Sequence, residues 1–431
     1  MILGQVSWLD CFVFLVFLAP QLIWNAGFFS TLFCGIQALP FLCKIFCFAI
    51  TTICSISLNV ADTVIVIKLP LGFIYDRVYL SRQYRSPFVQ QATCFEDIVI
   101  RCVRYAFAYI PAHIGRVFFS KFVSLPFLRF RMLRHGYFRS PIHWHEVRKH
   151  NFNGIWITND AAREPDIVIY YAHGGGFSMG SSYFYLEFLL AWLSLLKTYG
   201  GFQNPAVFAL EYTLVPDASY PVQLHEAIAG YKHVLSITRD ASKICVSGDS
   251  AGGTLILSLL LHFAKKPSNC NGKHLTNDEA EIPNTPGMAV LISPWTTLHS
   301  SQHKNTPSDY LDAANLHQYA SQYAGPQTSI HNPLTSPGNC KAVSWWKKAC
   351  PLKGFFVMYG AEEVFAPEIR GLLDLWKEGG MRVECVEEEG GIHAWPVACL
   401  FLSSSKGERQ KGLSVIVREI RDRMGGDFGG K

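Results

Sequence analysis

Residues 243–257, Lys-Ile-Cys-Val-Ser-Gly-Asp-Ser-Ala-Gly-Gly-Thr-Leu-Ile-Leu, contain the pattern that decides the fold. An apolar run typical of a short buried strand leads into a Gly-x-Ser-x-Gly unit at Gly248, Ser250 and Gly252, and an apolar helical run follows. A strand, a tight turn and a helix in this order can present a nucleophilic serine on a strained turn. The flanking glycines are needed because a side chain there would collide with the strand or the helix. A glycine-rich loop with an incidental serine has the same five-residue pattern, so the assignment depends on the rest of the chain.

A second glycine cluster lies upstream of the serine. Residues 166–172 are almost continuously apolar, as in a parallel strand covered on both faces, and they end in His-Gly-Gly-Gly-Phe at 173–177. Consecutive glycines leave backbone N–H groups that can point into one small volume, which is what an oxyanion requires. We expect the N–H groups of Gly174, Gly175 and Ala251 to form this oxyanion hole. His173 is expected to anchor the loop rather than to act as a base.

The remaining catalytic groups are predicted to follow two later strands. A strand near 354–359 is followed by Glu362 and Glu363, and a strand near 382–386 is followed by His393. Loops at the carboxyl ends of parallel strands meet at one edge of a sheet, so these loops can complete the order serine, acid, histidine. Either Glu363 or, if the preceding loop is slightly shorter, Glu362 can supply the carboxylate that orients His393.

Strands and helices alternate along this part of the chain, which predicts an α/β fold with a doubly wound, mostly parallel sheet. Over roughly residues 150–400 the chain resembles the hormone-sensitive-lipase-like branch of the α/β-hydrolases. That branch has His-Gly-Gly-Gly-Phe after one strand and Gly-Asp-Ser-Ala-Gly-Gly at the serine turn, here at 173–177 and 248–253. The resemblance implies an α/β-hydrolase fold with a helical cap, built from an insertion at about 300–350 together with residues 85–135.

The resemblance also bears on individual residues. The spacing between the family's acid and its histidine matches Glu363, and the residues after Glu363 fit the family pattern. The resemblance therefore makes Glu363 our choice for the acid, with Glu362 as the alternative. One departure is an Asp-Tyr-Arg-x-x-Pro stretch, which here reads Glu-Tyr-Thr-Leu-Val-Pro at 211–216. The change removes an arginine and affects a local ion pair but not the chemistry. Asp249, next to the serine, is expected to be structural.

The predicted function is therefore a serine hydrolase of carboxylic esters, of the esterase, lipase or deacetylase type, with no metal or organic cofactor. Its expected substrates are lipophilic, such as short- to medium-chain acyl esters, acetylated sterols or acylglycerol esters. Two alternatives stay open. One is a catalytically weak protein that binds small molecules on the same fold. The other is an amidase or acyl transferase with the same triad.

The N-terminal segment, residues 1–75, is apolar and predicted to associate with a membrane. The 33 residues from Cys11 to Cys43 carry no charge, and a membrane-spanning helix needs only about 20. Pro20 and Pro40 are expected to break the segment into pieces near 11–19, 21–39 and 41–61. One span, a helical hairpin, a monotopic insertion, or a segment packed against the catalytic domain all fit this pattern.

The next segment, residues 76–142, is predicted to be a basic helical cap or linker, and residues 143–431 to be the catalytic domain. Residues 76–150 hold 13 Lys and Arg but only four acidic residues, and apolar residues recur among them at helical spacing. This pattern favours contact with anionic headgroups, with the catalytic domain on the cytosolic side of an endomembrane. Nucleic-acid binding is not expected. The histidines in the sequence His-Trp-His at 143–145 and His150 lack a recognisable metal-ligand spacing and are interpreted as surface residues, and no Cys-x-x-Cys pair predicts zinc.

Overall fold

The computed structural model describes residues 1–32, 72–265 and 285–425. Several sequence predictions fall outside these ranges. They are residues 33–39 of the apolar piece at 21–39 and the whole of the piece at 41–61. Most of the polar stretch at 265–286, which its turn-forming residues predict to be a surface loop, and the glycine-rich tail also lie outside.

The described part of the chain contains one eight-stranded sheet with the strand order β1-β2-β4-β3-β5-β6-β7-β8. β2 runs antiparallel to both of its neighbours, and all the other pairs are parallel. The first strand was not predicted, because its polar residues give no apolar alternation. The strands are β1 (His143–Lys149), β2 (Phe152–Thr158), β3 (Ile167–Ala172), β4 (Pro205–Glu211), β5 (Ile244–Asp249), β6 (Met288–Ile292), β7 (Phe355–Gly360) and β8 (Val383–Glu388).

Helices cover both faces of the sheet, as the alternating pattern predicted. They are α1 (Trp8–Ala26), α2 (Pro87–Gln91), α3 (Cys94–Tyr109), α4 (Ala112–Phe118), α5 (Lys121–Arg134), α6 (Leu186–Thr198), α7 (Val222–Thr238), α8 (Ala251–Ala264), α9 (Ala313–Ala324), α10 (Val343–Ala349), α11 (Ala366–Glu378), α12 (Trp395–Leu402) and α13 (Lys406–Met424).

Two hydrophobic cores follow from the alternation of side chains along the strands. Val168 and Tyr170 of β3 point into the core that α7 and α8 cover. Ile169 and Tyr171 of the same strand point into the opposite core, which α6 and α13 cover. Because β3 is fully buried on both faces, the loop that follows it is held rigidly at the carboxyl edge of the sheet.

The N-terminal helix α1 packs along α5 in the antiparallel direction. Asp10, Phe14 and Leu18 lie on successive turns of α1 and contact Arg131, Phe127 and Val123 of α5, respectively. The Asp10 carboxylate is completely buried, and both Arg131 and Arg134 pair with it. The first turns of α1 are therefore fixed to the catalytic domain.

The prediction that Pro20 breaks the apolar segment was wrong. α1 continues through Pro20 to Ala26 as one helix of 19 residues. A proline inside a helix removes one backbone hydrogen bond and strains the preceding turn, which often ends the helix. Here Leu18 and Leu22 pack against the domain on either side of Pro20, and their burial keeps the helix continuous.

Candidate active site

Ser250 lies between β5 and α8 in a strained conformation. Its backbone has φ 51° and ψ −120°, a left-handed region that residues other than glycine rarely adopt. The strain is held in place on both sides, because the Ser250 N–H donates to the carbonyl of Ile292 at 3.0 Å and the Ser250 carbonyl accepts from the N–H of Trp295 at 3.0 Å. Gly252 must be glycine, since a Cβ there would overlap the carbonyl of Ala172. The turn therefore has the form that the sequence predicted.

Glu363 and His393 lie together at the same edge of the sheet. Glu363 follows β7, His393 follows β8, and both side chains are buried. The distance from Glu363 Oε2 to His393 Nδ1 is 3.7 Å, which is within ion-pair range and longer than a hydrogen bond. The same Glu363 oxygen accepts hydrogen bonds from the Ser293 hydroxyl at 2.6 Å and from the Gly360 N–H at 3.2 Å. These donors fix the carboxylate beside the imidazole.

The geometry separates the two glutamates that the sequence left open. The side chain of Glu363 is the one that points inward to His393, whereas Glu362 is half-buried and its backbone binds elsewhere. The Glu362 N–H donates to the carbonyl of Gly391, and its own carbonyl accepts from the hydroxyl of Thr306. Glu363 is thus the better candidate for the orienting acid.

The electrostatic environment favours a protonated His393. Burial disfavours the imidazolium, but the carboxylates of Glu363, Asp309 and Asp249 together outweigh it, with Glu363 contributing most. The pKa of His393 is therefore raised above its ordinary value of 6.5. Two aromatic rings, Tyr310 and Phe365, pack edge-on against the imidazole at centroid distances of 5.8 and 5.1 Å.

The glycine loop after β3 requires one correction. The N–H of Gly174 was predicted to bind the oxyanion, but it donates to the Asp249 carboxylate at 2.8 Å. The next two glycines have positive φ, 114° at Gly175 and 61° at Gly176, and no described residue accepts a hydrogen bond from their N–H groups. The N–H of Ala251, in the first turn of α8, likewise has no acceptor among the described residues. Gly175, Gly176 and Ala251 are therefore the donors that an oxyanion could meet.

His173 is placed as an anchor of this loop. It is completely buried, its ring stacks on Tyr212 at a centroid distance of 4.3 Å, and its Nδ1 lies 2.8 Å from the carbonyl of Gly174. Burial lowers the pKa of His173 to about 4, so the ring is neutral at neutral pH. Tyr212 also donates its hydroxyl to the carbonyl of His173 at 2.8 Å. Stacking and hydrogen bonds together fix the start of the glycine loop.

Asp249 joins the serine turn to the glycine loop. Besides the Gly174 N–H, its carboxylate accepts hydrogen bonds from the hydroxyls of Tyr171 and Tyr185, both at 2.6 Å. Burial raises the pKa of Asp249 in spite of these three donors. The residue was expected to be structural, but its reach to Gly174 could not be read from local sequence.

Ser293 is a site residue that the sequence reasoning did not assign. It follows β6, has a φ of 45°, and donates its hydroxyl to Glu363. The same hydroxyl oxygen accepts from the N–H of Ala394, next to His393, at 2.9 Å. One hydroxyl thereby connects the acid loop with the histidine loop. Nothing in the local sequence Ser-Pro-Trp at 293–295 indicates this contact.

The stretch at 211–216, which lacks the arginine typical of the family, is contacted by an arginine from another part of the chain. Arg116 of α4 pairs with Asp217 at 2.9 Å and donates to the carbonyl of Ser178 at 3.1 Å. It also donates to the carbonyl of Val215. The helix α4 therefore braces the loop after β4.

In the described part of the chain, no three His, Cys, Asp or Glu side chains converge on a point that could hold a metal ion.

Comparison with known proteins identifies the family and the fold of this chain. A family described by the alpha/beta hydrolase fold matches residues 169–397, more than half of the chain. The chain belongs to this family. The predicted fold class and the resemblance to hormone-sensitive-lipase-like enzymes are thereby confirmed.

Individual relatives match over different lengths. An acetyl-hydrolase from Streptomyces hygroscopicus is 26% identical over 268 residues, which cover 58% of this chain and 80% of that protein. Neutral cholesterol ester hydrolase 1 from Pongo abelii is 30% identical over 153 residues, 32% of this chain and 33% of that protein. Among solved structures, an esterase from the bacterial hormone-sensitive lipase family has a TM-score of 0.58 at 21% identity, covering 78% of this chain and 99% of that one. This last likeness supports the fold alone.

Proposed function

We propose that this protein is a membrane-associated serine hydrolase of lipophilic carboxylic esters. Ser250 is the nucleophile, His393 is the general base and then the general acid, and Glu363 orients the histidine and stabilises its imidazolium. One observation carries the proposal: the buried contact between Glu363 and His393 lies at the sheet edge that also holds the strained turn of Ser250.

The proposed reaction proceeds through an acyl-enzyme. Ser250 Oγ bonds to the acyl carbon as its proton passes to His393, and the carbonyl oxygen takes up the negative charge. The N–H groups of Gly175, Gly176 and Ala251 stabilise this oxyanion, each by about 3 kcal/mol. The bond to the alcohol then breaks as His393 returns the proton to the leaving oxygen. Water attacks the acyl-enzyme by the same route, which releases the acid and restores the Ser250 hydroxyl.

The substrate class rests on the relatives and on the N-terminus. The enzyme is a carboxylic ester hydrolase by class, as are the relatives named acetyl-hydrolase and neutral cholesterol ester hydrolase 1. We propose acetyl and other short- to medium-chain esters of lipophilic alcohols as substrates, with sterol and acylglycerol esters as the first compounds to assay. An apolar helix that holds the enzyme at a lipid surface would give it access to such molecules.

The membrane contact is proposed to form on the outer face of α1. This helix has the length and apolar composition of a membrane span, and the face turned away from α5 exposes large apolar side chains. Phe12 is 62% exposed, Val16 51% and Ile23 47%. Exposed apolar patches of this kind are costly in water and are typical of surfaces that bind membranes or partners.

The packing of α1 favours a helix that lies in the membrane surface over one that crosses the bilayer. α5 packs beside α1 at the level of Asp10, Phe14 and Leu18, and it carries Arg129 on its exposed side. Arg129 is exposed, so a crossing α1 would draw its charge into the hydrocarbon, at a cost of about 3 kcal/mol or more. In an interfacial position the guanidinium of Arg129 would contact anionic headgroups. We place the catalytic domain on the cytosolic side of an endomembrane for this reason.

The segments at 76–142 and 300–350 are proposed to form a cap over the site. Arg104 of α3 donates to the carbonyls of Pro307 and Asp309 at 2.7 Å each, which joins the two segments. Tyr310 of the second segment then packs against His393. The cap would therefore supply part of the apolar wall around the acyl group.

The proposal is tested with a fluorophosphonate probe, which bonds covalently to activated serines. The wild-type chain should be labelled, and Ser250→Ala should abolish the labelling. Ser258→Ala is the matched control, because Ser258 is also buried on α8 but donates to the carbonyl of Thr254. A wild-type protein that is not labelled, or a Ser250→Ala variant labelled as strongly, would refute the assignment. Panels of nitrophenyl esters and amides, with and without acceptor alcohols, then distinguish a hydrolase from an amidase or transferase.

A further inference from the structure

The cap contributes a buried carboxylate to the surroundings of the triad. The cap turn, residues 306–310, contains Asp309, whose exposed fraction is 1%. One Asp309 oxygen accepts from the N–H of Tyr310 at 2.8 Å and from the N–H of His393 at 3.1 Å. The other accepts from the N–H of Val364 at 2.9 Å. Both oxygens are therefore used by backbone donors.

Two of these three donors, the N–H groups of His393 and Val364, belong to the two catalytic loops. His393 is the proposed base itself, and Val364 follows directly after the proposed acid Glu363. The loops come from different strands, β7 and β8, and Asp309 is distant from both in sequence: 55 residues from Val364 and 84 from His393. A single carboxylate thus fixes the backbone on which acid and base are carried.

The cap turn is itself held from two sides. On the inner side, the Thr306 hydroxyl donates to the carbonyl of Glu362 at 2.7 Å and accepts from the N–H of Asp309 at 3.0 Å. On the outer side, Arg104 donates to the carbonyls of Pro307 and Asp309. The position of Asp309 is therefore set by the docking of the cap segment onto α3 and onto the acid loop.

We propose that Asp309 is a positioning residue of the catalytic triad, through which the docked cap holds the Glu363 and His393 loops in register. The inference rests on the proposed function, because it assumes that these two side chains act on Ser250. Its basis is the geometry of three backbone hydrogen bonds to one buried carboxylate. Asp309 does not contact the reacting atoms and acts only through the residues that it holds.

The same carboxylate has an electrostatic effect on the base. The carboxylates of Glu363, Asp309 and Asp249 favour the imidazolium form of His393. Burial, to which the rings of Tyr310 and Phe365 contribute, disfavours that form. Removing the charge of Asp309 must therefore lower the pKa of His393. Because only neutral imidazole accepts a proton, the acidic limb of the pH–rate profile should move to lower pH.

The test compares Asp309→Asn with wild type in steady-state hydrolysis of a nitrophenyl ester over a range of pH. The amide keeps the size of the side chain but turns an N–H₂ group toward one of the backbone donors. We expect kcat to fall about 10- to 100-fold with little change in KM, since small displacements of catalytic groups cost rate. The acidic limb of kcat/KM should move to lower pH.

Asp312→Asn is the matched control. Asp312 lies in the same segment, but it caps α9 and binds Asn305 and Asn315 rather than the catalytic loops. Its substitution removes the same charge and should leave kcat and the acidic limb unchanged. An Asp309→Asn enzyme with wild-type kcat and an unmoved acidic limb would overturn the inference. If Asp309→Asn does not fold, Arg104→Met replaces it, and an unchanged kcat there would overturn the inference in the same way.

Failure of the inference can be distinguished from failure of the proposed function. If the wild-type protein lacks both fluorophosphonate labelling and esterase activity, the proposed function fails and the inference fails with it. If the wild-type enzyme is active and depends on Ser250, but Asp309→Asn behaves as wild type, only the inference fails.

Discussion

Replacement of Arg131 by methionine should destabilise the protein by breaking a buried ionic cluster. The guanidinium is completely buried and donates to both oxygens of Glu187, at 2.8 and 2.7 Å. It also donates to Asp10 at 3.2 Å and to the carbonyl of Gly4 at 2.7 Å. Methionine fills much of the same volume but leaves Glu187 as a buried carboxylate without a cation. Removal of one partner from a buried pair costs about 3–5 kcal/mol, so we expect a loss of that size in the free energy of unfolding.

The measurement is urea denaturation followed by tryptophan fluorescence. Arg148→Met is the control, because Arg148 pairs with Glu146 at the surface with a side chain that is 73% exposed, and its loss should cost less than about 1 kcal/mol. A second substitution, Glu187→Leu, should recover most of the stability lost in Arg131→Met, since it removes the unpaired charge. An Arg131→Met protein within about 1 kcal/mol of wild type would refute the view that this cluster anchors α1 to the catalytic domain.

Three further predictions concern the site and the membrane surface. The acidic limb of kcat/KM should have its midpoint above pH 6.5, because the pKa of His393 is raised and the protonated ring cannot act as a base. A pH–rate profile with its midpoint at or below pH 6.5 would contradict this prediction. Gly252→Ala should abolish fluorophosphonate labelling in a chain that still folds, because the alanine Cβ would overlap the carbonyl of Ala172 at the end of β3 and displace the serine turn. Normal labelling of this variant would contradict the prediction. Phe12→Glu combined with Val16→Glu should reduce co-sedimentation with anionic vesicles at least tenfold, since each substitution places a charge on the exposed face of α1. The surface control Ser414→Glu should bind the vesicles as wild type does. If the double variant binds as well as this control, the outer face of α1 is not the membrane contact.

The fold was predictable from local patterns. Strand, turn and helix follow one another around Ser250 within a short stretch, and the glycine run after β3 is contiguous. The buried strands are apolar on both faces, so each was visible as a continuous run. β1 was missed because its side chains are half-exposed and polar, and such an edge strand carries no hydrophobic period.

Contacts between distant segments could not be predicted. The N–H of Gly174 was assigned to the oxyanion because glycine runs expose such groups, but Asp249 reaches it from 75 residues away. The choice between Glu362 and Glu363 depends on how tightly the chain turns after β7. No residue in that turn predicts which of the two side chains faces His393. Asp309 has no local signature, because its importance comes entirely from where the cap segment docks. Pro20 was misjudged for a similar reason, since packing against the domain outweighs the local cost of a proline.

The most direct test of the triad compares kcat for Glu363→Gln and Glu362→Gln in the hydrolysis of a nitrophenyl ester. The two residues are adjacent and carry the same charge, but only Glu363 lies beside His393. Replacing the orienting acid of a serine triad lowers kcat by about 10⁴-fold, so we expect a loss of that order for Glu363→Gln and less than about a twofold change for Glu362→Gln. A large loss in Glu362→Gln with near-normal activity in Glu363→Gln would contradict the assignment of Ser250, His393 and Glu363 as the catalytic triad.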